Sequence, residues 1–160
     1  MLIDQAQFKA NVAVSGTLDL GWIANFFNEA ELMYVRDNIC ADLYNEIDNQ
    51  KSTNTLTVAN TALLNRLYKP ISLFVLYHTL PILHSRIQNV GIMKALADDA
   101  ESITEGNLQA LRQYYLGNAN FWLNEAITFV KDNISDYPLF NCNSCGNSKD
   151  HWKNTLYLKW

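Results

Sequence analysis

Two cysteines and a histidine lie close together in the stretch NCNSCGNSKDHW, near the end of the printed sequence. Cys142 and Cys145 form a C-x2-C-G turn, and His151 follows six residues later. Such a turn can hold zinc, because its backbone N–H groups face both thiolates, but zinc requires four ligands. The fourth would be Asp150, a more distant histidine or cysteine, or a residue of a neighbouring subunit. Without a second regularly spaced ligand pair, a polar segment that merely contains two thiols is favoured over zinc. A redox pair and a disulfide are the weakest alternatives, because the surroundings resemble a loop rather than the start of a helix.

Other chemically capable side chains do not form a recognised catalytic pattern. His78 and His84 are six residues apart, which does not place them on one helix face, so we expect buried, hydrogen-bonded histidines rather than metal ligands. Glu29 and Glu31 lie in an amphipathic stretch, where a solvated face is the simplest prediction. Serines occur without a nucleophile elbow or a nearby histidine. The sequence therefore predicts no enzyme and no cofactor.

Composition limits the class of protein further. The chain has 160 residues, 49% of them hydrophobic, which predicts one domain with a substantial core. Charged residues are only 18%, and the formal net charge is -4, so tight binding to nucleic-acid phosphates is disfavoured. An odd number of cysteines makes a reducing compartment the simpler assumption.

No secretion or membrane signal is predicted. Asp4 and Lys9 interrupt the N-terminal stretch where a signal peptide would need an apolar block. The most apolar run, Ile71–Leu83, is shorter than the roughly 20 residues of a membrane-spanning helix. Because it is apolar on all sides, it predicts a buried central helix. Pro70 would fit its first turn, and Pro81 should kink or end it.

Hydrophobic periodicity predicts helices on both sides of this segment. A first pattern runs from Thr17 to Asn49 and is interrupted at Arg36–Asn38, so it indicates two helices or one bent helix. Asp48–Thr55 contains no apolar residue and predicts a loop. A brief extended segment is expected at 90–93.

The clearest helix is predicted between Leu108 and Val130, where apolar residues recur alternately at steps of three and four. Thr104 or Asn107 would cap it, and Pro138 should follow its end. A mainly α fold results, with a compact helical bundle over 1–139 and a C-terminal extended arm over 140–160. The core is expected to include these aromatic residues: Trp22, Phe26, Tyr115 and Trp122.

The order of the predicted elements along the chain indicates a class of protein. EAELMYVRDNICADLYNEI (Glu29–Ile47) precedes the apolar YKPISLFVLYHTLPIL, a Gly-containing segment, a long Tyr- and Trp-rich helix and a YP stop. This pattern, over Leu18–Leu139, resembles the small helical head–tail connector proteins of tailed bacteriophages, in particular variants from phages of gut bacteria. Those proteins form the adaptor ring in the neck beneath the portal. The pair Cys142 and Cys145 has no counterpart in that pattern.

The resemblance implies a structural virion protein, made in the host bacterial cytoplasm, that assembles as a homo-oligomeric ring, expected to be twelve-fold. Its partners would be the portal protein and the next neck or tail ring protein, and DNA would pass through the lumen without tight binding or any membrane contact. The alternative is a small zinc-binding cytoplasmic adaptor protein.

The connector hypothesis assigns two groups of residues. Aromatic and apolar side chains near the C-terminus are expected to bind the partner, since interfaces are enriched in Tyr and Trp: Tyr137, Phe140, Trp152, Leu156, Tyr157, Leu158 and Trp160. The acidic connector before the last helix is expected to face the lumen or the next ring: Asp98, Asp99, Glu101 and Glu105.

Overall fold

A computed structural model describes residues 1–12, 21, 23–90 and 105–140, without the side chains of 83–90 and 105. All regular elements in these ranges are helical, which confirms the predicted mainly α fold. They are α1 (Gln5–Asn11), α2 (Asn25–Ala30), a π-helix (Glu31–Val35), α3 (Ala41–Ser52), α4 (Val58–Val90), α5 (Glu105–Asp132) and a 3-10 turn (Ile134–Asp136). The two long helices pack along each other, and α1, α2 and the π-helix pack on α4.

Helix α1 begins with a capping box. The Asp4 carboxylate accepts hydrogen bonds from the backbone N–H groups of Ala6 and Gln7, at 2.8 and 2.9 Å. In return the Gln7 side-chain oxygen accepts from the Asp4 N–H at 2.9 Å, so the first free donors of the helix are satisfied. Phe8 is then directed into the core, where its ring lies 5.3 Å from that of Phe27.

The predicted interruption at Arg36–Asn38 is confirmed as a boundary between two helical segments. The π-helix ends at Val35, and α3 begins after Cys40, whose φ of 72° lies in a region that side chains rarely adopt. Cys40 is buried and disulfide-bonded. This differs from the reduced state that an odd number of cysteines favours.

The prediction of a loop from Asp48 is wrong as far as Ser52, because α3 continues to that residue. Its inward face buries Leu43 and Ile47, and the helix therefore gains tertiary packing that outweighs the weak helix propensity of its last polar turn.

One continuous helix, α4, takes the place of the two segments predicted on either side of Pro70. Both Pro70 and Pro81 lie inside it, so neither proline starts or ends a helix. Each proline removes one backbone hydrogen bond. Burial of the flanking turns offsets this loss, because apolar residues on both sides of Pro70 are enclosed: Leu63, Leu64, Leu67, Ile71, Phe74 and Val75. The extended segment expected at 90–93 is wrong at Val90, which is helical, and 91–93 lie outside the described residues.

Helix α5 confirms the strongest periodic pattern. The residues that it buries against the bundle share one face: Ala119, Leu123, Ala126, Ile127 and Val130. The cap predictions have different outcomes, since Asn107 lies within the helix and Thr104 lies outside the described residues. Phe140 is buried in the same core, so the packed part extends one residue beyond the predicted boundary at 139.

Candidate interaction surface

Most residues assigned from sequence to chemistry or to partners lie outside the described residues. These are the zinc candidates Cys142, Cys145 and His151, the C-terminal residues Trp152, Leu156, Tyr157, Leu158 and Trp160, and the acidic residues Asp98, Asp99 and Glu101. Glu105 is the first residue of α5, and its side chain is not described.

Two predicted partner-binding residues belong to the protein's own core, which corrects their assignment. Tyr137 is only 1% exposed, and its hydroxyl donates a hydrogen bond to the Ala59 carbonyl at 2.7 Å. Its ring also packs edge-on against Phe129, with centroids 6.0 Å apart. Phe140 is buried beside the same helices. The 3-10 turn that follows α5 places Tyr137 against the first turn of α4 and against α5, so these rings stabilise the bundle.

Glu31, predicted to be solvated, is completely buried. Its carboxylate accepts hydrogen bonds from the backbone N–H groups of Leu2 and Ile3, each at 2.8 Å, and from the Tyr44 hydroxyl at 2.8 Å. A buried carboxylate is tolerated only when such donors replace water. Burial, followed by the negative charge of Glu31 and its hydrogen bond, raises the pKa of Tyr44 above its ordinary range.

The same site fixes the rest of the N-terminal backbone. Lys51 donates to the Leu2 carbonyl at 2.5 Å, and the Met1 amino group forms an ion pair with Asp48. The site therefore holds residues 1–3 against the π-helix and α3. Its polar groups find their hydrogen-bond and ion-pair partners within the same chain. Nothing about it requires a ligand.

A second polar group is less well satisfied. His78 lies among aromatic rings, 5.3 Å from Tyr34 and 5.5 Å from Tyr77 between centroids, and its Nε2 atom is buried without a hydrogen-bond partner in the part of the chain that the structure describes. Burial and the positive charge of Arg112 lower the pKa of His78, while Glu29 opposes this shift. The expected burial of His78 is thus partial, and the expected hydrogen bond to Nε2 is absent there.

A surface cleft lies where the end of α1 meets α4 and α5. It encloses about 570 Å³, and a neighbouring hollow of about 400 Å³ shares Asn11, Lys69 and Trp122 with it. Most residues that line the first part are polar or charged, whereas most that line the second are apolar or aromatic. The first part includes Asn65, Arg66, Glu125, Phe129 and Asp132, and the second includes Leu73, Leu76, Tyr114 and Tyr115.

The charged residues of the cleft are not neutralised by ion pairs. Arg66 lies over the Phe129 ring, 3.7 Å from its centroid, and donates to the Ala62 carbonyl. Lys69 donates to the Asn11 carbonyl at 2.6 Å. Among the described residues, neither cation has a carboxylate within 4 Å, and Glu125 and Asp132 have no cation within that distance. These four charges are therefore available to a molecule entering the cleft.

Aromatic rings border the cleft on the α5 side. Trp122 is 43% exposed and packs edge-on against Phe121, with centroids 5.4 Å apart, while Phe121 itself is 56% exposed and Tyr114 is 62% exposed. Trp122 was expected in the core, but the helix rotates it toward solvent. Phe26 and Tyr115 are partly buried against the core, and Trp22 lies outside the described residues.

Periodicity in α5 contained a signal for this surface. Aromatic residues occupy positions 114, 115, 121 and 122, and a single helix face cannot include all of them. One neighbour of each pair must point away from the face that packs on α4. Which one does so depends on the exact rotation of the helix, which periodicity alone leaves undetermined.

Two further properties of the described residues bear on the class of site. No group of three or more His, Cys, Asp or Glu side chains there could hold a metal ion. In the same ranges, no helix is both long and apolar enough to cross a membrane.

Comparison with known proteins gives one match. A family model described as a family of unknown function (DUF6712) matches residues 35–150. No curated protein and no solved structure matches the chain. Because the match spans well over half of the sequence, the chain belongs to the DUF6712 family.

Proposed function

We propose that this protein is a structural head–tail connector of a tailed-phage virion, forming a ring in the neck under the portal through which DNA passes. The observation that carries the proposal is the cleft beside α5, with its exposed rings and unneutralised charges. Protein interfaces characteristically combine aromatic anchors such as Trp and Tyr with a polar rim. The order of helices, which resembles that of connector proteins, supplies the class of assembly.

Contact with a neighbouring subunit would use the cleft. A ring arises when one surface of each subunit meets a different surface of the next, so the cleft would receive a segment of the adjacent copy. Trp122 would lose its remaining solvent exposure there, and Arg66 or Glu125 would acquire a charged partner. Desolvated aromatic residues of this kind typically dominate binding energy.

The charge of the chain is compatible with a ring around DNA. A lumen must let the double helix slide, and attachment to phosphates depends on Lys and Arg. A net charge of -4 with only 12 Lys and Arg residues keeps non-specific affinity low. Asp98, Asp99 and Glu101 remain the sequence-based candidates for the lumen.

Native mass spectrometry of the full chain, alone and mixed with the portal protein of the same genome, tests the proposal. We expect a closed ring of fixed stoichiometry with portal. A chain that ignores portal at all concentrations would refute the connector function, and one bound zinc ion per chain in the same spectra would favour the zinc-adaptor alternative.

A matched pair of variants tests the use of the cleft. Trp122→Ala should abolish or strongly weaken ring formation, whereas Asn120→Ala, at an exposed position of the same helix that does not line the cleft, should assemble normally. Equal assembly of both variants would show that the cleft is not the subunit contact.

A further inference from the structure

The outward face of α5 carries a row of uncharged residues, which we call the α5 seam. Its members follow one another at alternating spacings of four and three residues, and all are exposed: Ala110, Tyr114, Gly117, Phe121, Asn124 and Thr128. This alternation averages 3.5 residues, the period with which one helix packs along another. Helix α5 thus has two faces with a packing period: the inner face, which packs on α4, and the α5 seam, which α4 does not cover.

In the part of the chain that the structure describes, no side chain packs closely at Gly117, in the middle of the seam. A Cβ atom at this position would meet nothing within 4 Å. Glycine within a helix is destabilising relative to alanine, and the open space around Gly117 means that no local packing requires a glycine there. A second helix crossing at Gly117 would supply the benefit, because the missing side chain lets two backbones approach closely.

The seam is nearly symmetric about this glycine. Tyr114 precedes it by three residues and Phe121 follows it by four, and the smaller Ala110 and Asn124 lie beyond them. If two copies cross in antiparallel orientation, Gly117 meets Gly117, and Tyr114 of one copy faces Phe121 of the other. A two-fold contact requires this kind of self-complementary surface.

Charge also favours a second copy as the occupant. Like charges are brought together when a charged surface pairs with itself across a two-fold axis, and the seam contains no charged residue. Both rings are already supported within the chain: Tyr114 packs edge-on against Tyr115, with centroids 5.6 Å apart, and Phe121 packs similarly on Trp122. Ordered rings lose less conformational entropy when they bind.

We propose that the α5 seam is a self-association surface, which pairs with the α5 seam of a second copy in antiparallel orientation about a two-fold axis at Gly117. Tyr114 and Phe121 are its anchors. Tyr114 and Thr128 also line the cleft, whereas Gly117, Phe121 and the other seam residues do not, so the two-fold pair is centred beside the cleft rather than in it.

Sedimentation equilibrium of the full chain over a wide concentration range measures the pairing. We expect a monomer–dimer equilibrium, and Phe121→Glu should raise the dissociation constant at least tenfold. Gln113→Glu is the matched control, because it makes a similar addition of charge at an exposed α5 position outside the seam. A wild-type chain that stays monomeric even at about 1 mM, or equal dissociation constants for the two variants, would overturn the proposal.

Gly117→Leu tests the close approach directly. The open space around this position lets the variant fold, which circular dichroism can verify, while the added side chain separates the two helices. Loss of the dimer with an unchanged helical spectrum is the expected result. A variant that still pairs with wild-type affinity would exclude a crossing at Gly117.

Orientation is tested by photo-crosslinking. A benzoylphenylalanine placed at position 121 in mixed isotope-labelled and unlabelled full-length chains should form intermolecular crosslinks near Tyr114. Crosslinks near position 121 of the other copy would indicate a parallel pair and overturn the antiparallel geometry. Intermolecular crosslinks confined to other elements would overturn the assignment of the surface.

Discussion

The buried Glu31 site and the exposed face of α5 differ in solvent exposure, and the difference is the opposite of what residue polarity alone predicts. Glu31 is an ionisable residue with no exposed surface, whereas Tyr114 and Phe121 are aromatic residues with more than half of theirs exposed. Three donor groups from the same chain satisfy the carboxylate. In the described residues, the outer sides of the two rings have no comparable cover.

The difference separates what the chain needs in order to fold from the surface that the proposed pairing would use. Burial of a carboxylate is costly unless hydrogen bonds replace water, and at Glu31 this compensation is complete within one molecule. An exposed aromatic ring forgoes about 1.5–3 kcal/mol that its burial would contribute. A partner that covers α5 would recover this free energy, so the two regions predict opposite responses to mutation.

The largest expected effect is on the polar site. Glu31→Ala should lower the free energy of unfolding by about 3–5 kcal/mol, because it leaves the N–H groups of Leu2 and Ile3 and the Tyr44 hydroxyl buried without an acceptor. Urea denaturation measures the loss. Glu29→Ala, two residues earlier and exposed, is the control and should change stability by no more than about 0.5 kcal/mol. Similar losses in both variants would contradict a special role for Glu31.

Two adjacent residues of α5 sharpen the contrast. Leu123 is 4% exposed and faces α4, so Leu123→Ala should cost about 2–4 kcal/mol of folding stability through the cavity it leaves. Trp122→Ala should cost less than about 1 kcal/mol in the isolated monomer, since much of the ring is already in solvent. Denaturation of the monomer and an assembly assay should rank the variants in opposite orders. A Trp122 variant as unstable as the Leu123 variant would place Trp122 in the fold rather than in an interface.

A smaller effect of opposite sign is expected at Gly117. Gly117→Ala should stabilise the monomer by about 0.5–1 kcal/mol, because alanine has the higher helix propensity and its Cβ meets nothing. The same change should weaken self-association. Gly106→Ala, which also has open space at its Cβ, is the control and should leave association unchanged. A destabilised Gly117 variant would show that the fold itself needs this glycine.

The smallest effect concerns pH. The pKa of His78 is lowered in the folded protein by burial and by Arg112, so the unfolded chain binds a proton more readily below its ordinary pKa of about 6.5. Stability should therefore fall as pH decreases through about 6.5 toward the folded pKa. His78→Gln should flatten this dependence in thermal unfolding scans between neutral and mildly acidic pH. An unchanged slope would assign the acid sensitivity to other groups.

The sequence predicted the parts of the fold in which local pattern and tertiary packing agree. The strong alternation of three and four in α5 and the polar interruption at Arg36–Asn38 both appear in the structure. It failed at Pro70 and at Asp48, where local rules favour a helix start and a loop. Apolar contacts around α4 and along α3 override these preferences, and such contacts depend on residues distant in sequence.

The site was predicted less well for a related reason. Exposure of Trp122 depends on the rotation of α5, and burial of Tyr137 depends on the turn after α5 that brings it to Ala59. Neither is encoded in a single segment. The α5 seam around Gly117 follows from the spacing of its residues once the inward face of α5 is known. Spacing alone does not say which of two faces is covered.

By itself, the sequence determined the helical class, the position of the clearest helix and the low charge, because these follow from composition and from the periods of apolar residues. Only the tertiary structure decided that Glu31 is enclosed and that the rings of α5 face outward. The physical reason is that burial is a property of the assembled chain: Leu2 and Ile3 must be brought to Glu31 before a carboxylate can leave water.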